Sequence, residues 1–424
     1  MKKSLIVSTT LVVFLLSSYV SYSCSIFCSN RNGEILAAGN EDWSDPFSKF
    51  WVSPRTNDSY GTINIGHSDG QRQLSINEFG LFYDFAAIPQ AEGKNLNGKQ
   101  DFNGSLFTEI LAKCKTIDET LVYLKKLKYQ SPFHQVLMAD ASGRSIVVNQ
   151  DIIIEDSSDY RIATNFNACD ISGGNYDCRR FQIIDEALSA GDKISIALFR
   201  NLLSRTHQEG PYPTQYSYII DQKRGELHIY SFHNYENELV INIKEEISKG
   251  YSMKELKELF PIAFEEEYFR SHHIDSLKET LLKIVRRDGA EQAIKKYMSL
   301  SDAKSEIAPD PQVLWDVAAS IIQDVWMQET SGATFEYWWH ANNYVNWTSK
   351  NPDLQLAMKI VEFMERVPKE NPKQNIGVYE LKGLLLSVNE RKMESKQYFE
   401  KTMSLDEEHT GNYHRAKVFV EYLK

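Results

Sequence analysis

The pattern of apolar and polar positions divides the chain into a strand-rich part and a helical part. From Cys24 to about residue 262, short apolar runs are separated by Asn, Asp and Gly, as is typical of strands and turns; they include GEILAAG, SIVVN, YSYII and ELHIYSF. Two stretches have helical spacing instead, SLFTEILAKCKTIDETLVYLKKL and RRFQIIDEALSA. Strands interrupted by a few helices predict a layered α/β domain.

After about residue 263, long helical patterns rich in Glu, Lys, Leu and Ala dominate. Near the end, GVYELKGLLLSVNERKMESKQYFEKTMSLDEE has the spacing of a tetratricopeptide (TPR) helix pair, with packing positions at Tyr379, Gly383, Ser395, Phe399 and Leu405. The upstream stretch NYVNWTSKNPDLQLAMKIVEFMERVPKENP is a poorer copy, so an ordinary helical bundle stays open as the alternative. We therefore predict a leader over 1–23, an α/β domain over 24–262 and an all-α, TPR-like domain over 263–424.

The first 23 residues have the pattern of a secretory signal peptide. Lys2 and Lys3 precede the apolar run LIVSTTLVVFLL, and Ser21 and Ser23 occupy the small-residue positions of a signal-peptidase site. This pattern predicts cleavage before Cys24 and export to the periplasm or the exterior of a bacterium. Two alternatives stay open: an uncleaved anchor, and an outer-membrane lipoprotein attached at Cys24, although Ser21 stands where a lipidation signal usually has Leu.

Composition narrows the choice of partners. The formal net charge is -11, which disfavours a nucleic-acid or anionic-membrane partner because both require a basic surface. Hydrophobic residues make up 42% of the chain, enough for an ordinary core. Neither a CxxC nor an HExxH motif occurs, and we predict no metal and no cofactor.

The chain has five cysteines, so at least one thiol stays unpaired within a monomer. Cys169 and Cys178 flank the turn-rich stretch DISGGNYD and are the disulfide candidate for an exported protein. Cys24 has a different significance. If cleavage makes it residue one, its α-amino group has a reference pKa near 8 and can act as a base toward its own thiol.

The mature start CSIFCSNRNGEILAAGNEDW resembles that of the N-terminal-nucleophile linear amide C–N hydrolases, the choloylglycine hydrolase and penicillin V acylase group. Members open with Cys, two strands and a Gly-x-Asn-x-Asp-like turn. Here Asn40, Glu41 and Asp42 occupy that turn, and Asp42 follows Cys24 at a distance of 18 positions, as in many members. The resemblance implies a four-layer αββα sandwich.

Five further stretches match the family in order, so the resemblance covers about residues 24–240. They are SINEFGLFYDFAAIP, ADASGRSIVVNQ, IATNFN with Thr164 and Asn165, CRRFQII with the family's active-site Arg at Arg180 or its rival Arg179, and PTQYSYIID.

The resemblance implies a role for each matched residue. Cys24 would attack the amide carbonyl, and its α-amine would take the thiol proton and pass it to the leaving amine. Asp42 would hold that amine, Asn165 would donate its amide to the oxyanion, and Arg180 would lower the pKa of the thiol. Each partner also has a plain structural reading, as a turn or cap residue for Asp42, a turn residue for Asn165 and a surface residue for Arg180.

Departures from the family affect the substrate more than the chemistry. Gly39 stands where the bile-salt enzymes usually carry Arg, and Ala87 aligns with a second oxyanion donor and offers only its backbone N–H. We take Ala87, Asn40 and Tyr83 as candidates for substrate or oxyanion contacts. Cys28 is a rival nucleophile only if cleavage follows Phe27, and we expect it to be a core thiol on the same strand face as Cys24.

The expected function is an exported cysteine hydrolase that cleaves a linear amide of a small-molecule N-acyl compound through a thioester. Conjugated bile-salt hydrolysis, penicillin V acylation chemistry and acyl transfer are enzymatic alternatives. A lipid-anchored binding module that recruits a protein through its helices is the non-enzymatic alternative. A protein partner for the helices and a homo-oligomer are left open.

Overall fold

A computed structural model of the chain describes residues 24–423, apart from 90–97, 101, 103, 130, 132, 150–151, 156, 169–177, 273–275, 303–309 and 368–370. The predicted signal segment lies outside the described residues. Within the described part, no helix is both long and apolar enough to cross a membrane.

The strand-rich part forms two antiparallel sheets. Its strands are β1 (Ser25–Arg31), β2 (Glu34–Asp42), β3 (Lys49–Ser53), β4 (Thr62–Gly66), β5 (Arg72–Asn77), β6 (Phe82–Ala87), β7 (His134–Ala139), β8 (Ser145–Asn149), β9 (Ile152–Ile154), β10 (Tyr160–Ala163), β11 (Thr214–Asp221), β12 (Glu226–Ser231), β13 (Glu238–Asn242) and β14 (Ser252–Glu255). Sheet A has the order β10-β1-β2-β11-β12-β13, and sheet B has the order β14-β3-β4-β5-β6-β7-β8-β9. All four of the predicted apolar runs lie on strands, namely β2, β8, β11 and β12.

Helices cover the outer face of each sheet. They are α1 (Leu106–Lys113) and α2 (Ile117–Lys126) on sheet B, and α3 (Arg179–Ser189) and α4 (Ile196–Thr206) on sheet A. The short α5 (Ile243–Ser248) instead contributes Ile243 and Ile247 to the cluster between the sheets. The first predicted helical stretch is interrupted before α2 because the Thr116 side chain caps a new helix by accepting from the Glu119 N–H.

Three apolar clusters show the order of the layers. One packs sheet A against sheet B, one packs sheet B against α1 and α2, and one packs sheet A against α3 and α4. The resulting order is helices, sheet, sheet, helices, which confirms the predicted αββα arrangement.

The remaining chain is helical, as predicted. Its helices are α6 (Phe264–His272), α7 (Ser276–Asp288), α8 (Ala290–Asp302), α9 (Gln312–Glu329), α10 (Asp353–Arg366), α11 (Ile376–Val388), α12 (Lys392–Leu405) and α13 (Gly411–Tyr422). An apolar cluster of their own runs from Leu281 to Phe419. The predicted boundary near residue 263 falls between β14 and α6, and the division into domains stays a prediction.

Helices α11 and α12 pack closely at the predicted small-residue position. A Cβ on Gly383 would lie 3.0 Å from the Phe399 ring, and Ser395 Oγ donates to the Gly383 carbonyl at 2.8 Å. Phe399 is fully buried and stacks on Phe419 with ring centroids 4.5 Å apart. The packing positions therefore behave as expected for a helix pair, while the TPR-like assignment stays a prediction.

The helical part contacts one end of sheet B. The indole N–H of Trp51 donates to the Gly332 carbonyl at 3.1 Å, and Arg72 donates to the same oxygen at 2.8 Å. Lys49 pairs with Asp324 at 2.8 Å. These contacts connect β3 and β5 to α9 and the loop that follows it.

Candidate active site

The strand register places Cys24 beside the end of β2. Cys24 directly precedes β1, in which Ser25 lies opposite Asn40 and Ile26 lies opposite Gly39. The next pair of positions in that antiparallel register is Cys24 and Glu41. Only 5% of Cys24 is exposed, so its thiol lies in the interior of the full chain.

Asp42 ends β2 and is fully buried. Its carboxylate accepts hydrogen bonds from Arg180 Nη1 at 3.1 Å, from Gln208 Nε2 at 2.6 Å and from the Thr214 hydroxyl. Thr214 also lies opposite Asp42 in the pairing of β2 with β11. Three elements of the sheet A half, namely β2, the first turn of α3 and β11, therefore meet at this carboxylate.

Arg180 links Asp42 to Asn165. Its Nη2 donates to Asn165 Oδ1 at 2.7 Å, and Asn165 Nδ2 in turn donates to the Ala87 carbonyl at 2.7 Å. Because a guanidinium only donates, this contact fixes which end of the Asn165 amide faces Arg180. The rival Arg179 is exposed, whereas the side chain of Arg180 is only 17% exposed, so the geometry favours Arg180.

The surroundings of Cys24 hold its thiol in the protonated form in the full chain. Burial raises the pKa of Cys24 well above its ordinary value. Nearby carboxyl groups raise this pKa further; they belong to Glu41, Asp42 and Asp84. A hydrogen bond from the Asp42 backbone N–H to the sulfur acts in the opposite direction. The predicted effect of Arg180 on this pKa stays a prediction.

Asp42 titrates near neutral pH. Burial raises its pKa to about 7, and the Arg180 guanidinium is the largest of the influences that oppose this rise. The hydrogen bonds from Thr214 and Gln208 also lower it. Because the ionised form is the one that pairs with Arg180, this arrangement is complete above pH 7 and is lost as the pH falls through that value.

Two of the predicted contact residues have structural roles instead. Asn40 is fully buried and donates to the Leu203 carbonyl at 3.0 Å, which ties β2 to α4. Tyr83 packs against Phe107 of α1, with ring centroids 5.7 Å apart, and therefore lies on the outer face of sheet B. Of the three candidates, only Ala87 contacts the cluster, and it does so through its carbonyl oxygen as an acceptor.

Asp84, the residue after Tyr83, was not among the site residues predicted from the sequence. Asp84 is fully buried and points to the opposite face of β6, where Tyr218 OH donates to its Oδ2 at 2.6 Å. Burial raises the pKa of Asp84 to about 7. A carboxylate within the apolar stretch LFYDFAA was the available signal, because a charge in a buried strand requires a partner.

Comparison with known proteins finds similarity to solved structures. The chain is similar to a cysteine-to-alanine variant of conjugated bile acid hydrolase from Clostridium perfringens, with a TM-score of 0.43 and 15% identity over 57% of this chain and 97% of that chain. It is similar to penicillin V acylase from Agrobacterium tumefaciens, with a TM-score of 0.39 and 14% identity over 57% of this chain and 98% of that chain. No family model and no curated protein matches the chain.

The structure explains the glycine that replaces the expected arginine. A Cβ on Gly39 would lie 2.7 Å from Cε1 and 2.8 Å from the hydroxyl oxygen of Tyr218. The ring of Tyr218 is fully buried and held by its bond to Asp84. The tyrosine therefore occupies the space into which a side chain at position 39 would extend.

We expect Gly39→Ala to destabilise the protein by about 1–3 kcal/mol, the usual cost of overpacking a filled core. The measurement is urea unfolding of Gly39→Ala, Tyr218→Leu and the double variant. Because the smaller Leu makes room for the methyl group, the two substitutions should be non-additive. An equal cost of Gly39→Ala in both backgrounds would contradict the proposed crowding.

Cys28 and Cys178 lie outside the hydrogen-bonded cluster of Asp42, Arg180 and Asn165. Cys28 is buried in the cluster between the sheets, as expected for a core thiol. Cys178 precedes α3 and is paired with none of the cysteines that the structure describes, while Cys169 lies outside the described residues, so their disulfide stays a prediction. No group of three or more His, Cys, Asp or Glu side chains within the described ranges is arranged to hold a metal ion.

Proposed function

We propose that this chain is the precursor of an exported cysteine N-terminal-nucleophile hydrolase that cleaves the linear, non-peptide amide bond of an N-acyl compound. One observation carries the proposal. Asp42 is 138 positions from Arg180 in the sequence, yet Asp42, Arg180 and Asn165 form one chain of hydrogen bonds, and Asp42 lies beside Cys24. A surface arginine and a turn residue would have no reason to converge on the buried Asp42 carboxylate.

Processing before Cys24 is the first step of the proposed mechanism. In the full chain the nitrogen of Cys24 is part of a peptide bond and cannot act as a base. Cleavage would release an α-amine, which is largely available in its neutral form near pH 8. The raised pKa of the Cys24 thiol is consistent with an unprocessed chain that is held inactive.

Acylation follows from these groups. The α-amine removes the thiol proton, and the sulfur attacks the carbonyl carbon of the substrate to form a tetrahedral oxyanion. The Asn165 amide, oriented by Arg180, donates to that oxyanion. The C–N bond then breaks, the α-ammonium passes its proton to the leaving amine, and a thioester remains on Cys24.

Deacylation uses the same groups in reverse. The neutral α-amine removes a proton from water, the hydroxide attacks the thioester carbonyl, and the C–S bond breaks to release the carboxylic acid and restore the thiol. If an amine takes the place of water, the product is a new amide, which is the acyl-transfer alternative.

The proposed substrate is defined only as a class of N-acyl compounds. An acyl chain or an aryl-acetyl group joined to a small amine or amino acid fits the chemistry. Gly39 and Ala87 depart from the bile-salt pattern, and Tyr218 fills the position of the missing arginine, so we do not favour bile salts as the substrate. A role of the helical part in recruiting a protein is a further proposal.

Mass spectrometry of the N-terminus tests this function. The full chain would be expressed in an exporting bacterium, and the purified product analysed intact and after digestion. We expect a free N-terminal Cys24 that gains the acyl mass on incubation with N-acyl amides at low temperature. A diacylglycerol adduct on Cys24, or an intact 1–23 segment on active protein, would contradict the proposal, because the first blocks the thiol and the second keeps the nitrogen in a peptide bond.

A further inference from the structure

A buried carboxyl group beside the nucleophile has no part in the mechanism above. Glu41 is 2% exposed and receives a hydrogen bond from the Cys24 thiol. The Oε2 atom of Glu41 is buried and has no hydrogen-bond partner among the described residues. An unpaired buried carboxylate oxygen is costly, so its retention requires an explanation.

Asp42 has little capacity left for another donor. Its two oxygens already accept from Arg180, Gln208 and Thr214, and a carboxylate has about four acceptor sites. Arg180 also compensates its charge. The residue that the family resemblance assigns to the α-amine is therefore occupied by other donors.

Asp84 is occupied as well. Tyr218 OH donates to one of its oxygens at 2.6 Å and the Phe85 backbone N–H donates to the other at 2.7 Å. Of the three carboxyl groups around Cys24, only Glu41 thus has an oxygen that awaits a donor.

We propose that Glu41 is a positioning residue that accepts a hydrogen bond from the α-ammonium group of processed Cys24. The inference rests on the proposed function, since the ammonium exists only after cleavage. Sulfur and nitrogen of one cysteine are separated by only two carbon atoms, so a carboxylate that contacts the thiol is also within reach of the nitrogen. An ammonium supplies the donors that Oε2 lacks.

The electrostatic surroundings of Glu41 in the full chain are consistent with a cation that binds beside it after cleavage. Burial raises the pKa of Glu41 well above its ordinary value, and Asp84 raises it further, as expected for a buried carboxyl group with no cation nearby. Asp42 acts in the same direction. The titratable groups that face Glu41 come from the residue before β1 and from β2, β6 and β11; they are Cys24, Asp42, Asp84, Tyr216 and Tyr218. An ammonium at Cys24 would lower the pKa of Glu41, and ionised Glu41 would raise that of the amine.

Competitive labelling of the α-amine tests the inference without relying on turnover. Processed wild type, Glu41→Gln and Asp42→Asn would be acetylated with trace acetic anhydride across pH, with lysine labelling in each sample as the internal reference. We expect Glu41→Gln to lower the pKa of the α-amine by about one unit, so that labelling on the acid side rises about tenfold. The acid limb of kcat/KM should move to lower pH by the same amount.

The controls distinguish the loss of the Glu41 carboxylate from a general effect of the substitution on folding. Gln is isosteric with the neutral carboxyl of the full chain and should fold, which thermal unfolding checks. Glu41→Asp keeps a carboxylate and should restore most of the raised amine pKa, whereas Asp42→Asn should change labelling by less than about threefold. The assignment is wrong if Glu41→Gln leaves the amine pKa unchanged, or if Asp42→Asn lowers it as much. Either result would leave the proposed function intact as long as turnover still requires Cys24.

Discussion

Alanine at position 24 is expected to reduce amide hydrolysis by a factor of about 10⁴ or more, because removal of a covalent nucleophile leaves only the residual catalysis of the surrounding site. Asp42, Asn165 and Arg180 would keep their side-chain hydrogen bonds to one another, since none of these bonds involves the Cys24 side chain. The measurement is kcat/KM of the processed Cys24→Ala variant on a panel of N-acyl amino acids and N-acyl amines, with the released amine quantified.

Cys28→Ala is the matched control. Cys28 lies on the same strand face as Cys24 and is buried to a similar extent. It belongs to the apolar cluster between the sheets. We expect this variant to lose about 1 kcal/mol of stability and to keep its activity per folded molecule. Full activity in Cys24→Ala, or equal losses in both variants, would contradict Cys24 as the nucleophile.

Arg180→Met is expected to lower kcat/KM by about 10²–10³-fold, comparable to the loss of an oxyanion donor. Without the guanidinium, the Asn165 amide loses the partner that sets its orientation. Asp42 also loses the positive charge that opposes the effect of burial, so its pKa rises further. If ionised Asp42 is required, the acid limb of the pH profile moves to higher pH. Both effects are measured from kcat/KM between pH 5 and 9.

Arg179→Met provides the comparison for this prediction. The neighbouring side chain is exposed, so its loss removes the same charge without touching Asp42 or Asn165. Its activity and pH profile should match those of the wild type. Arg180→Lys should recover little, because an ammonium cannot reproduce two directed contacts from one planar group. Equal effects of the two methionine substitutions would show that Arg180 acts only as a general positive charge.

Many of the strands and helices were predictable because the spacing of apolar and turn residues within a short segment indicates them. Apolar runs separated by turn residues mark β2, β8, β11 and β12, and helical spacing marks α3. The helical stretch before β7 was predicted as one element and is two helices, because the Thr116 cap overrides the continuous apolar spacing. Layer order came from the family resemblance, since apolar spacing alone does not determine which sheet face a helix covers.

The candidate site was predictable only where a family motif marked it. Asp42, Asn165 and Arg180 stand in matched segments, and the structure joins them. Glu41 and Asp84 were not singled out because both faces of their strands are buried, so alternation did not identify the inward face. Tyr83 and Asp84 are neighbours in β6, so their side chains point to opposite faces of sheet B, and only that of Asp84 faces Tyr218.

The contact at Gly332 has a consequence for how this protein can be divided. Trp51 is fully buried, and its indole N–H is satisfied by a carbonyl that belongs to the helical part. A chain ended near residue 263 would leave that indole, and the Arg72 guanidinium beside it, facing solvent without their shared acceptor. The helical part thus supplies an acceptor that two donors of sheet B require, and we expect the strand-rich part to be less stable without it.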